Sequence, residues 1–186
     1  LLDMSATTEN HTLDTSLLEL LSRFCFVPLT VGGGIKTVND VRKIIAAGAD
    51  KVAINSHAVA RPQLVSEIAN IFGNQCVVVS IDCRLEEDGS YQVYTHSGTR
   101  GTGMTAEKWA KQVEELGAGE IFLNSIDRDG SKQGYDTELV SRVSDSVSIP
   151  VIACGGVGSY KHFAPGIIEG RASAVAAGNI FHYIEH

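Results

Sequence analysis

Asp82 closes the most apolar run of the chain, residues 76–82 (CVVVSID), and no carboxylate in the sequence is better placed to move protons. Removing a carboxylate from water is costly unless it is paired or used, and partial burial raises its pKa towards neutrality. General acid and base work is the chemistry this favours, with a structural Asp bonding nearby backbone amides as the plain alternative. Two glycine pairs, Gly33-Gly34 and Gly155-Gly156, each end an apolar run and precede a helical pattern. Glycine leaves backbone N–H groups uncovered by any Cβ, and a helix start adds partial positive charge, so each pair suits a phosphate; a turn without a ligand is the alternative. Residues 125–136 (SIDRDGSKQGYD) add Asp127, Asp129 and Asp136 with two glycines. Their spacing hints at a divalent-cation loop, but the Glu that closes an EF-hand is missing. Contact with substrate hydroxyls and phosphate is the expectation, and no metal or other cofactor is expected.

The glycine pairs belong to a duplicated unit. Residues 28–56 (PLTVGGGIKTVNDVRKIIAAGADKVAINS) and 150–178 (PVIACGGVGSYKHFAPGIIEGRASAVAAG) align without a gap, 122 positions apart. Pro28/Pro150, Gly33/Gly155, Gly34/Gly156, Ile45/Ile167 and Gly48/Gly170 are identical. Repetition of the glycines with their flanking strand and helix favours two phosphate sites over two coincidental turns.

Apolar runs rich in Val and Ile alternate with amphipathic stretches, the pattern of βα units around a parallel sheet. Strands are predicted at 27–31, 51–55, 76–82, 119–124, 150–154 and 172–177, and helices near 14–23, 37–47, 60–72, 105–116, 135–147 and 159–168. Thr37, Thr105 and Ser159 are the predicted caps. Nowhere does this reading place two strands in succession. The Pro165-Gly166 pair predicts a short or kinked last helix. Doubling the 122-residue half-period gives about 244, near the ~250 residues of a (β/α)8 TIM barrel, so the expectation is an α/β barrel with a two-fold half-barrel repeat. Residues 1–186 are read as a single incomplete barrel domain. Leu1, Leu2 and Asp3 read as the tail of a strand followed by a loop to Asn10, with the N-terminal βα unit missing, and no closing helix is expected after the last strand. In such a barrel the strand ends converge on one active face. Asn55, Ser56, Asp82, Asn124, Ser125, Cys154 and Gly178 fall at strand ends, whereas Asp50, Lys51 and Glu120 fall at strand starts.

Composition narrows the partners. Lys and Arg total 15 against 22 Asp and Glu, a net charge of −7, without a basic block. Nucleic acid is not an expected partner. No run approaches the ~18 apolar residues of a membrane span, and the start lacks signal-peptide blocks, so neither a membrane nor export is expected and the cytoplasm is the expected location. Cys25, Cys76, Cys83 and Cys154 contain no CxxC pair and read as reduced thiols, the last three in or beside strands. The six histidines are scattered without metal-ligand spacing.

The stretches PLTVGGGI, GADKVAINS, QCVVVSID, THSGTRGTG, GAGEIFLNSIDRDGSKQGYD and SIPVIACGGVG together resemble the cyclase subunit of imidazole glycerol phosphate synthase, over residues 2–182. The resemblance implies a doubled half-barrel that takes ammonia from a docked glutaminase subunit. The ammonia reacts with a bisphosphorylated ribulosyl aminoimidazole substrate, releasing the imidazole product and an aminoimidazole carboxamide ribotide. It implies that Asp82 is one of two catalytic aspartates. It implies a first phosphate site at Gly34, Asn55 and Ser56, and a second at Asp129, Gly130, Gly156, Ala177 and Gly178. Lys51 and Glu120 would belong to a charged ammonia gate and Asp50 to the glutaminase docking surface, where a solvated ion-pair cluster is the alternative.

Departures from the pattern carry weight too. The other catalytic aspartate belongs to a first strand absent from this sequence, so the chain by itself is expected to show little or no activity. Asn124 stands where the histidine-pathway enzymes usually have Thr, Cys154 where they usually have Ser, and ASAVAAGN replaces a more usual ADAALAAS. These variations resemble a paralogous branch that supplies ammonia for amidation of a sugar in surface-polysaccharide synthesis. A non-catalytic scaffold or ammonia conduit is a third reading. The related isomerase of the preceding histidine step is a fourth, and it fits residues 85–103 and 125–130 less well.

Overall fold

The computed structural model describes residues 1–3 and 15–182, so the loop expected up to Asn10 lies outside the described residues. The chain divides into two compact units: Leu1–Val79 with Glu115–Gly119, and Ser80–Glu114 with Glu120–His186.

The first unit runs α1 (Thr15–Ser22), β1 (Thr30–Gly32), α2 (Val38–Ala46), β2 (Lys51–Ile54), α3 (Ser56–Ala60) and α4 (Gln63–Phe72), then enters β3 (Val77–Leu85). β1 pairs in parallel with β2, Thr30 opposite Lys51, and β2 pairs in parallel with β3, Val52 opposite Val77. Val31, Val52, Val77 and Val79 are fully buried, as expected of strands covered on both faces. The strand character expected of residues 1–3 is present as a parallel bridge from Leu2 to Gly32. Each helix turns one apolar stripe inward: Val41 and Ile44 from α2, and Leu64, Val65, Ile68 and Ala69 from α4. α2 begins with a capping box, in which Thr37 Oγ1 accepts from Asp40 N at 3.2 Å and Asp40 Oδ2 accepts from Thr37 N at 2.9 Å. The helix expected at 60–72 is α4, beginning at Gln63, and the short helix α3, which was not expected, precedes it. Arg61 is extended (φ −141°, ψ 82°) because the Pro62 ring disfavours helical backbone before it, and α4 restarts beyond.

The second unit continues with β4 (Tyr91–Thr95), β5 (Arg100–Thr105), α5 (Ala106–Glu115), β6 (Glu120–Ser125), α6 (Thr137–Ser144), β7 (Val151–Cys154), α7 (Phe163–Ile168), β8 (Ala174–Val175) and α8 (Asn179–His182). β6 neighbours β3, β7 pairs in parallel with β6, and β8 pairs in parallel with β7. The expectation of unbroken βα alternation fails at one place. β4 and β5 form an antiparallel hairpin on β3, with Asp82 opposite Tyr94 and Leu85 opposite Tyr91. Its signal is a period of two: Tyr91, Val93 and Thr95 are buried, while Gln92 and Tyr94 between them are not. The hairpin is locked from behind. Tyr91 Oη donates to Asp136 Oδ1 at 2.9 Å, and Arg142 sits 5.3 Å from the Tyr91 ring centroid while its Nε reaches Glu107 Oε1 at 2.6 Å.

The last βα repeat is shorter than expected. A 3-10 turn at Tyr160–His162 precedes α7, which lasts six residues and holds Pro165 in its first turn, where no intrahelical N–H is needed. β8 is two residues long, and the helical turn α8 follows where no closing helix was expected. Both units follow the strand–helix–parallel-strand progression of the (β/α)8 barrel class, which is the fold class expected from the sequence.

Candidate functional site

Asp82 lies where β3 changes partners, parallel to β2 up to Val79 and antiparallel to β4 from Asp82 onward. It is therefore not the strand's last residue, as its position after the apolar run suggested. Its neighbours Ile81 and Cys83 are fully buried while Asp82 itself is partly open. Asn124, on β6, donates from Nδ2 to Asp82 Oδ1 at 3.3 Å. Asn124 is also the register partner of Cys154 on β7, so Asp82, Asn124 and Cys154 form a row across three strands. Burial pushes the Cys154 thiol up to about 11, with the carboxylates of Asp129 and Asp82 adding to the shift against a Gly155 backbone hydrogen bond. At neutral pH this thiol is protonated and is no nucleophile. Of the other cysteines, Cys76 and Cys83 are buried and Cys25 is partly exposed.

The loop after β7 is held by backbone contacts. Gly155 (φ 93°) and Gly156 (φ 96°) are both left-handed and buried. A Cβ on Gly155 would lie 2.7 Å from Ser125 O, and one on Gly156 would collide with Gly134 O. Gly134 N donates to Gly156 O at 2.7 Å, and Gly158 N donates to His162 Nδ1 at 3.1 Å, pinning the loop at both ends. His162 thus has a defined structural role that its isolation in sequence hid. Gly130 and Gly178 differ: both are exposed, and a Cβ on either would meet nothing within 4 Å. Among the predicted residues of the second phosphate site, Gly156 and Gly130 (φ 72°) each have a backbone reason to be glycine, whereas Gly178 borders open space without one. Asp129 is exposed and donates its N–H to Ser125 O, and Ala177 follows the strand pairing that ends with Ala176 N on Ala153 O.

The acidic segment after β6 separates into distinct jobs. Asp127 Oδ2 accepts from Leu85 N at 2.9 Å, and Asp136 Oδ1 caps α6 by accepting from Leu139 N at 3.1 Å. Both carboxylates serve the backbone.

In the first unit Gly34 is buried with φ 65°, in the loop after β1. Gly33 (φ 116°) is required by close approach, since a Cβ there would lie 2.8 Å from Asp3 Cβ. The N-terminus of α2, expected to add charge for a phosphate, already holds a carboxylate: Asp40 Oδ2 accepts from Lys36 N and Thr37 N. Asn55 (φ −132°, ψ −95°) follows β2 at the N-cap position of α3 and Ser56 begins that helix, both partly buried. At strand starts, Asp50 is exposed and accepts from Leu29 N at 2.7 Å, whereas Lys51 and Glu120 are partly buried as the first residues of β2 and β6.

A comparison of the sequence with protein families finds a match to the histidine biosynthesis protein family over residues 1–186. The chain belongs to that family. Membership agrees with the fold class and with a barrel of the histidine-biosynthesis type. Among the described residues no helix is long and apolar enough to cross a membrane.

Proposed function

We propose that this histidine biosynthesis family member is the ammonia-using cyclase, with Asp82 as a general acid and base. The observation that carries the reading is the placement of Asp82: partly open between two buried residues and fixed by the Asn124 amide at 3.3 Å. An ionised carboxylate held there can take a proton from the attacking nitrogen and return it to the leaving group, the class of step worth roughly 10²–10⁴ in rate. Lyase chemistry follows, in which a C–N bond forms with ammonia, the ring closes and the aminoimidazole carboxamide ribotide departs.

Gly34, Asn55 and Ser56 are proposed to take one substrate phosphate, and Asp129, Gly130, Gly156, Ala177 and Gly178 the other. Because Asp129 is itself anionic, its proposed role is to accept from a substrate hydroxyl while backbone N–H groups meet the phosphate. Lys51 and Glu120 are proposed gate residues for ammonia supplied by a glutaminase partner, and Asp50 a docking residue for it. The open border of Gly178 supports the ligand reading, since neither a neighbouring atom nor a left-handed backbone explains that glycine.

The second reading, amidation of a sugar, is favoured by one observation: Asn124 and Cys154, both departures from the usual pattern, stand in the same row as Asp82. Calorimetric titration of the whole protein with the bisphosphate substrate separates the two. Binding that survives Asp82→Asn supports the cyclase; a folded protein that does not bind the bisphosphate supports the paralogue.

A further inference from the structure

Asn124 holds its amide in one orientation for a physical reason. A carboxylate oxygen can only accept, so the face of the amide turned to Asp82 must be its NH₂, and Oδ1 points the other way. That oxygen is buried and accepts no hydrogen bond among the described residues. It lies 3.0 Å from where a Cβ on Gly155 would stand, so the absence of a side chain at Gly155 makes room for it. A buried acceptor left without a donor is costly, and a fold retains such a group where its other end is useful.

We infer that Asn124 is a positioning residue that fixes the orientation of the Asp82 carboxylate and keeps it ionised through the Nδ2 hydrogen bond. This rests on the reading of Asp82 as the acid and base. A donor to the charged form stabilises it, so loss of the donor raises the carboxyl pKa. The Asn124 amide does not titrate, which makes it a constant donor across the working pH range. Other titratable groups lie near Asp82. Tyr94 is opposite it on β4, Arg84 follows two positions on along β3, Cys83 and Cys154 are close enough to feel its charge, and Asp129 acts on Cys154 from the loop after β6. The protonated thiol of Cys154 adds no charge at neutral pH, and Arg84 lies 3.7 Å from Asp127 and stacks on Tyr94. A threonine at position 124 would carry its hydroxyl one atom closer to the backbone, and would not reach as far towards Asp82.

The test is an NMR titration of the Asp82 side-chain carboxyl in the whole protein, which needs no turnover. Asn124→Leu keeps the shape and removes the donor, and is expected to raise the Asp82 midpoint by about half to one pH unit. Asn124→Asp places a like charge there and is expected to raise it further. Asn124→Ser, smaller and tolerant of burial, serves if Asn124→Leu does not fold. A folded Asn124→Leu or Asn124→Ser protein whose Asp82 midpoint matches the parent overturns the inference. A raised midpoint in a protein that shows no cyclase turnover upholds the inference while removing the proposed function. Turnover that depends on Asp82, with a midpoint indifferent to Asn124, does the reverse.

Discussion

The chemistry of the second unit is set by which side chains stay neutral. Cys154 stands in the row with Asp82 and Asn124, and its thiol is pushed up to about 11 chiefly by burial. A thiol whose pKa is raised on folding contributes stability that is complete below the unfolded value and is lost as pH rises through the folded value. Stability is therefore expected to fall between pH 9 and 11, and Cys154→Ala to flatten that part of the curve, as urea unfolding at stepped pH would show. The same burial predicts slow alkylation of Cys154 at pH 7 in the native protein and fast alkylation in denaturant. The glycines give a second prediction. Gly156→Ala drives a methyl into Gly134 O and is expected to cost more than about 2 kcal/mol, whereas Gly178→Ala meets nothing and is expected to stay within about 0.5 kcal/mol. If Gly178 borders a phosphate, a larger substitution there should weaken phosphate binding without lowering the melting temperature.

At the scale of elements, the hairpin β4–β5 is the addition that the alternating pattern did not predict, and a buried hydrogen bond ties it to the start of α6. Tyr91 Oη and Asp136 Oδ1 meet 45 positions apart, where the carboxylate also caps α6. Burial and the Asp136 hydrogen bond both raise the Tyr91 hydroxyl pKa, so the phenol stays a donor at all working pH values. Tyr91→Phe should destabilise the protein by about 1–3 kcal/mol, measured by urea unfolding, because Asp136 keeps its burial and loses a donor. The sequence shows these elements unevenly. The apolar strand β3 and the helices α2, α4, α5 and α6 are legible because each carries a strong single period. The hairpin was also written in a period, Tyr91-x-Val93-x-Thr95, but it lies between turn-forming residues and reads as loop when a βα rhythm is imposed. The break before α4 follows from Pro62 and was equally available. The Asn124–Asp82 bond was not, since nothing local in either strand indicates which residues 42 apart share an edge.

For the whole molecule, the duplicated glycine unit holds in architecture while its two copies differ in detail. Both copies place left-handed glycines after a parallel strand, and both precede a helix. In the first copy the helix start is occupied by the Asp40 carboxylate; in the second a 3-10 turn intervenes and His162 binds the loop. Five identities were enough to reveal the repeat, but not which backbone N–H groups the protein itself uses. The family match over residues 1–186 agrees with the fold and with histidine-biosynthesis chemistry, and Asp82 is where the proposed cyclase stands or falls. The direct measurement is formation of the imidazole product from the bisphosphate substrate and an ammonium salt by the full-length protein, with both expected aspartates present, beside its Asp82→Asn variant. Product formation that drops by at least about 10²-fold in the variant, with bisphosphate binding retained, is the predicted result. Equal turnover in the two proteins, or none from a folded parent that binds the substrate, would contradict it.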